Sequence, residues 1–161
     1  MKMLMRENST LAEIEQTLTD FDVETVSLFG ALTASQLVRL WGYLDVRQCA
    51  PGEHVFDQGD LPSNIFILIS GRVDFVVCHG DLVKLERSFK GGDVFGETAF
   101  IGIQPQAGSA IVSSQGKVDL LVLNRDALMR IYADDTELFG MLMMNMAREL
   151  SRKIHRMIGA A

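Results

Sequence analysis

Cysteine is nearly absent. The 161-residue chain holds two, Cys49 and Cys78, far apart and in no metal-binding spacing. Two thiolates cannot furnish the four of an ordinary iron–sulfur cluster. They could make one disulfide, but a reducing, cytoplasmic setting is the simpler expectation. Histidine is equally sparse: His54, His79 and His155 are scattered, surface positions are expected for all three, and no paired-His metal motif occurs. Cys78-His79 is a poor haem ligand pair, because adjacent strand residues point to opposite faces. Neither a metal nor a cofactor is expected. Long apolar runs are also missing: no stretch reaches the roughly 18 residues that a membrane span requires. The segment Met1 to Thr10 turns polar after Met5, unlike a secretory signal. Positive charge is short as well. Fifteen Lys and Arg face 21 Asp and Glu, a net charge of −6, and only Arg148, Arg152, Lys153 and Arg156 cluster. That balance argues against independent nucleic-acid binding, which draws on many phosphate contacts. No Ser/His/Asp frame and no Walker-type loop is present, so no enzymatic activity is expected.

What is there is globular. Hydrophobic residues make up 48% and charged residues 22%, enough for one domain with a sizeable core. Three zones succeed one another. From about Ser9 to Leu44 the pattern is helical. Ser9 or Thr10 with Glu13 resembles a capping box ahead of Leu11, Ile14 and Leu18, and Thr33 with Gln36 opens a second helix carrying Leu37, Leu40, Trp41 and Leu44. From about Asp45 to Asn124, short β-rich runs (Ile65 to Ile69, Val73 to Val77, Leu82 to Phe89, Val118 to Leu123) alternate with Gly and Pro turns. Strands at this spacing predict a β-sandwich or barrel. From Arg125 onward the chain is helical again, with Asn124 as the N-cap of a short helix bearing Leu128 and Ile131. A longer helix follows from about Asp134. Its Phe139, Met143, Met146 and Leu150 step by four, three and four, with Met157 seven beyond and Lys153 interrupting, close to a heptad seam. The methionines of this helix read as interface packing rather than as a metal site.

The most unusual stretch is Gly91-Gly92-Asp93-Val94-Phe95-Gly96-Glu97-Thr98-Ala99-Phe100. Gly96 lets a backbone approach a ligand closely, and Glu97-Thr98-Ala99 looks like a short helix start whose free N–H groups can hold an anion. A carboxylate beside them can accept hydrogen bonds from a sugar hydroxyl. By themselves these features define only a glycine-rich turn able to serve as a site.

Gly91 through Glu97 resembles the phosphate-binding cassette of cyclic nucleotide-binding domains. Ala50-Pro51-Gly52-Glu53, Gln58-Gly59-Asp60 and Ile67-Leu68-Ile69-Ser70-Gly71 resemble that family's β-roll turns in order and spacing. Met146-Ala147-Arg148-Glu149-Leu150 resembles the C-terminal dimer helix of its bacterial cyclic-AMP receptor branch. The resemblance runs from about Phe29 to Ile158. It implies an α+β, mainly β fold: a β-roll or jelly-roll-like barrel at about 45–124, flanked by N-terminal helices and by C-terminal helices at about 125–158. Residues 1–28 would be a helical extension of a domain at 29–161. It further implies a non-enzymatic sensor for cyclic AMP or cyclic GMP, and a homodimer through Phe139, Met143, Met146, Leu150 and Met157. Output would pass to an unknown effector protein. With the sequence ending at Ala161 there is no room for the helix-turn-helix of the transcription factors, so no direct DNA binding is implied.

The resemblance assigns Glu97 to the ribose 2′-hydroxyl, and Gly96, Thr98 and the Ala99 amide to the sugar–phosphate. Where the family carries an arginine for the phosphate, this chain has Gln106. The next position, often a hydroxyl residue, is Ala107, leaving Ser109 as a partial substitute. The positions that read the base in the bacterial branch are Lys153 and Ile154. An ionic hydrogen bond contributes roughly 1.5–3 kcal/mol and a neutral one about 1. Exchanging Arg for Gln thus weakens phosphate binding by roughly five- to thirty-fold, and by more if the phosphate is buried. The alternative is a degenerate module that keeps the fold and dimer helix but binds no cyclic nucleotide, or binds a less anionic ligand.

Overall fold

The computed structural model describes residues 23–159, so the helix expected around Leu11, Ile14 and Leu18 lies outside the described residues. Two 3-10 turns, Val23–Thr25 and Ser27–Phe29, lead into helix α1, Ala34–Trp41. The capping box forms as expected: Gln36 N–H donates to Thr33 Oγ1 at 3.2 Å, and Thr33 N–H donates to Gln36 Oε1 at 2.9 Å. Eight strands follow: β1 Asp45–Cys49, β2 His54–Phe56, β3 Asn64–Ser70, β4 Val73–His79, β5 Leu82–Phe89, β6 Val94–Phe95, β7 Ser109–Val112 and β8 Val118–Asn124. Helix α2, Glu97–Gly102, separates β6 from β7, and α3, Arg125–Asp134, and α4, Thr136–Gly159, complete the chain.

The strands make two antiparallel four-stranded sheets, ordered β1-β8-β3-β6 and β2-β7-β4-β5. The strand zone therefore opens and closes at the expected residues, 45 and 124. The continuous apolar run of β3 reflects burial on both faces. Ile65, Ile67 and Ile69 turn toward the helices with Leu121, Leu123 and Val94, while Phe66 and Leu68 turn toward the second sheet with Val73, Phe89, Val112 and Leu120. Five rings, Phe56, Phe66, Phe75, Phe89 and Phe95, fill the inter-sheet space. Phe66 and Phe89 stack on Phe95 at centroid separations of 5.3 and 4.8 Å.

The helical core joins Leu40 and Trp41 of α1 to Leu128 and Ile131 of α3 and to Leu138, Leu142 and Met146 of α4. It also takes in Val26 and Leu28, on the N-terminal side of the boundary expected at residue 29. Asn124 caps α3 by accepting from Ala127 N–H at 2.8 Å, as expected. The long helix starts at Thr136, two residues beyond Asp134, because Asp135 is its cap, accepting from Leu138 N–H at 3.0 Å. Cys49 is buried and Cys78 exposed, both as free thiols, so the disulfide left open above does not form. Burial pushes the Cys49 thiol up from its ordinary range. Among the described residues no helix is long and apolar enough to cross a membrane.

Candidate functional site

Strand β6 pairs with β3 for two residues, Phe95 opposite Phe66 and Val94 opposite Ile67. The chain then leaves the sheet edge through Gly96, which adopts φ 80°. A Cβ there would sit 3.2 Å from both the Asn64 carbonyl oxygen and the Phe66 ring, so glycine is needed for conformation and for space. Glu97 is the first residue of α2, as the sequence predicts. Its side chain is closed off from solvent, at 1% exposure.

A buried carboxylate is stable only with a partner, and here the partner is Lys153 of α4. Its ammonium forms an ion pair with Glu97 Oε1 and also donates to the Val94 carbonyl at 3.0 Å. Thr98 Oγ1 donates to the same carboxylate oxygen at 3.2 Å. Two positions singled out for different reasons, Glu97 in the cassette and Lys153 in the long helix, are thus brought into direct contact across 56 residues of sequence. Ile154, the other base-side position, is 57% exposed.

The loop after α2 is held by main-chain bonds. Gln106 is buried, its N–H donates to the Asp60 carbonyl at 2.9 Å, and its carbonyl accepts from Gly59 N–H at 2.8 Å. Ser109 is committed as well, since its Oγ accepts from Gln58 N–H at 2.9 Å. The Gln58 side chain in turn brackets the Cys78 backbone, accepting from its N–H at 2.8 Å and donating to its carbonyl at 3.1 Å. The sequence motif Gln58-Gly59-Asp60 is therefore the strap that positions the cassette loop, a role its turn-like composition did not disclose. Ala107 is exposed and Ala99 is buried.

The basic cluster near the C-terminus is mostly consumed internally. Glu149 accepts from Arg152 and Arg156, each at 3.1 Å, and Arg148 donates to Asn145 Oδ1 at 3.1 Å. A cavity of 570 Å³ lies beside this network, between the N-terminal turns, Gly92-Asp93 and α4. Thr25, Ser27, Asp93, Glu149, Arg152 and His155 are among its lining residues, and none of the predicted ligand-binding residues is. On the long helix, Met146 is only 1% exposed and sits in the intramolecular core, because it shares a helix face with Leu138 and Leu142. That corrects its expected place in a dimer seam. Phe139 and Met143 pack partly on the same core, Leu150 is half-buried and Met157 is 74% exposed.

Two antiparallel sheets carrying a glycine-capped helix and loop at one edge, with a long helix tied to that helix through Lys153 and Glu97, define a β-roll flanked by helices. The family model described as "Cyclic nucleotide-binding domain" matches residues 46–135, and the chain belongs to that family. It is 33% identical over 84 residues to Potassium channel KAT2 of Arabidopsis thaliana, a match covering 52% of this chain and 12% of the channel. It is 30% identical over 109 residues to a cAMP-dependent protein kinase regulatory subunit of Hypocrea atroviridis, covering 68% of this chain and 22% of that one. The chain thus spans less than a quarter of the length of these relatives. A crystal structure of a cyclic nucleotide-binding domain from Methylobacillus flagellatus superposes with a TM-score of 0.77 at 19% identity, covering 88% of this chain and 80% of that one. Domains of this family are typically regulatory rather than catalytic.

Proposed function

We propose that this chain is a non-catalytic sensor that takes cyclic AMP or cyclic GMP at the segment from Gly96 to Ser109 and passes occupancy to α4. The observation that carries the reading is the buried carboxylate of Glu97 behind Gly96 at the start of α2. Lys153 and Thr98 offset the cost of burying this carboxylate, and it stands at the position where the family resemblance puts the ribose-hydroxyl ligand. Gly96, Glu97, Thr98 and the Ala99 amide supply the sugar side; the buried Gln106, with Ala107 and Ser109, supplies the phosphate side through neutral groups. The name of the Hypocrea relative ties that protein to cAMP, which supports the same ligand class here. The signal leaves through a homodimer built on the outer face of α4 to an effector protein, in the cytoplasm.

A second reading is favoured by two observations together: Gln106 carries no charge for a phosphate, and Glu97 is already ion-paired. In that reading the module keeps the fold and binds no cyclic nucleotide. Thermal unfolding with cyclic AMP and cyclic GMP separates the two. At about 100 times Kd a ligand contributes ~2.7 kcal/mol, a rise of about 5–10 °C in Tm for a domain of this size. The sensor reading expects that rise in the wild type and a tighter complex in Gln106→Arg. The degenerate reading expects no rise in the wild type and a rise only in Gln106→Arg. No response from either protein removes cyclic nucleotides as the ligand class.

A further inference from the structure

The cassette holds a negative charge that its own loop does not balance. Glu97 is sealed from water, and the loop position where the family carries a cation is the neutral Gln106. The charge that balances Glu97 comes instead from α4. Along that helix Leu138, Leu142, Met146 and Glu149 form the buried face, and Lys153 continues it at the next step of four. The lysine stem therefore lies along packed structure, and its ammonium is delivered to one place, between Glu97 Oε1 and the Val94 carbonyl. An ammonium has three donors. Two are met by these oxygens, and the third suits an anionic oxygen of a ligand whose hydroxyl approaches Glu97.

We infer that this chain carries the cation of its cassette on α4: Lys153 neutralises Glu97 in the empty site and meets the ligand's phosphate in the occupied one. The ligand half of this inference rests on the cyclic-nucleotide reading above; the empty-site half does not. A cation on the long helix differs from one on the loop in its consequence. An arginine at 106 would hold the phosphate to the β-roll alone, whereas Lys153 ties the charge balance of the site to the last two turns of α4. Ligand arrival then adds a hold on that helix, because the phosphate takes the third donor of an ammonium already tied to Glu97 and Val94.

Two measurements on the full chain test the two halves. The first is amide hydrogen exchange over residues 150–159 without ligand. Lys153→Met and Glu97→Gln should each accelerate exchange there by roughly tenfold, the double variant should add little further, and Lys153→Arg should restore protection. Wild-type exchange rates in Lys153→Met would overturn the inference. The second is calorimetric titration with cyclic AMP and cyclic GMP. Lys153→Met should lose at least about tenfold in affinity, and Lys153→Met combined with Gln106→Arg should recover it, because the charge returns to the loop. Undiminished affinity in Lys153→Met would refute the ligand half while leaving the cyclic-nucleotide reading standing. A wild type that binds neither nucleotide would refute that reading and the ligand half with it, while the exchange result decides the empty-site half.

Discussion

Asn145 shows how one polar side chain can join two distant parts of the chain. It lies on the buried face of α4, at 2% exposure, beside Leu142 and Met146. Its Nδ2 donates to the carbonyls of Leu28 at 2.9 Å and Gly30 at 2.6 Å, and its Oδ1 accepts from Arg148 at 3.1 Å. The last N-terminal turn is thereby fastened to the long helix. Asn145→Ala removes both donors and strands two carbonyls, which should cost about 2–4 kcal/mol. Urea denaturation would measure it, and a loss below about 0.5 kcal/mol would show that the turn is not held this way. Glycine 108 makes a contrasting case, because there the constraint is purely steric. A Cβ would lie 2.5 Å from the Val76 carbonyl oxygen and 2.7 Å from the Phe75 ring. Gly108→Ala should therefore destabilise by about 1–3 kcal/mol, read in the same urea experiment; unchanged stability would mean that β4 yields. At this scale the sequence was only half legible. Glu97 could be picked out, because a carboxylate after a glycine in a known motif is conspicuous. Its partner could not, since nothing local to Lys153 records a contact 56 residues away.

Elements were more legible where their ends carry chemistry. Thr33 with Gln36 and Asn124 both cap the helices that their side chains predict. The long runs of β3, β4, β5 and β8 are strands because β-branched and aromatic residues suit a pleated, buried surface. Strands β1, β2, β6 and β7 were not separately marked by composition. They are two to five residues long, and β1, Asp-Val-Arg-Gln-Cys, buries only its last residue. The start of α4 is set by Asp135, which also receives Arg39 Nε of α1 at 2.6 Å and so clips two helices together. The Leu138 amide and then the Arg39 guanidinium hold the Asp135 carboxyl below its ordinary range. A carboxyl lowered in the folded state stabilises it fully above the unfolded value of about 3.9, and that contribution fades as pH falls through the lowered folded value. Asp135→Asn should therefore cost about 1–2 kcal/mol near neutral pH, from the lost negative charge at the helix start and a lost half-exposed ion pair. Its difference from wild type should shrink below about pH 4 and vanish once both side chains are neutral. A difference independent of pH would mean that the carboxylate charge contributes nothing.

For the whole molecule, the sequence made the architecture legible because several turn motifs occur in order, each tied to a strand boundary. What it left undecided was which face of α4 meets what. The apolar residues of this 24-residue helix form two stripes, not one. The stripe through Leu138, Leu142, Met146 and Lys153 faces the chain's own core and cassette. A second stripe, Met143, Ala147, Leu150, Ile154 and Met157, steps by four, three, four and three and is exposed or half-buried, flanked by the exposed Met144 and Ile158. Heptad spacing on an outward face suits a second helix of the same kind. The dimer proposal therefore moves off Met146 and centres on Ile154. Met146→Glu would bury a charge in the core and unfold the chain rather than test its assembly. Sedimentation equilibrium should give the wild type twice the 17.8 kDa of the chain. Ile154→Glu should return it to the monomer mass with the helix content unchanged. Leu82→Glu, which removes an even more exposed apolar side chain on β5, should leave the dimer intact. A wild type that sediments as a monomer at micromolar concentration would remove the dimer. A dimer that survives Ile154→Glu would place its interface elsewhere. If the dimer forms as proposed, Lys153 stands one residue from its centre, so that a change at Glu97 reaches the second chain through a single turn of helix.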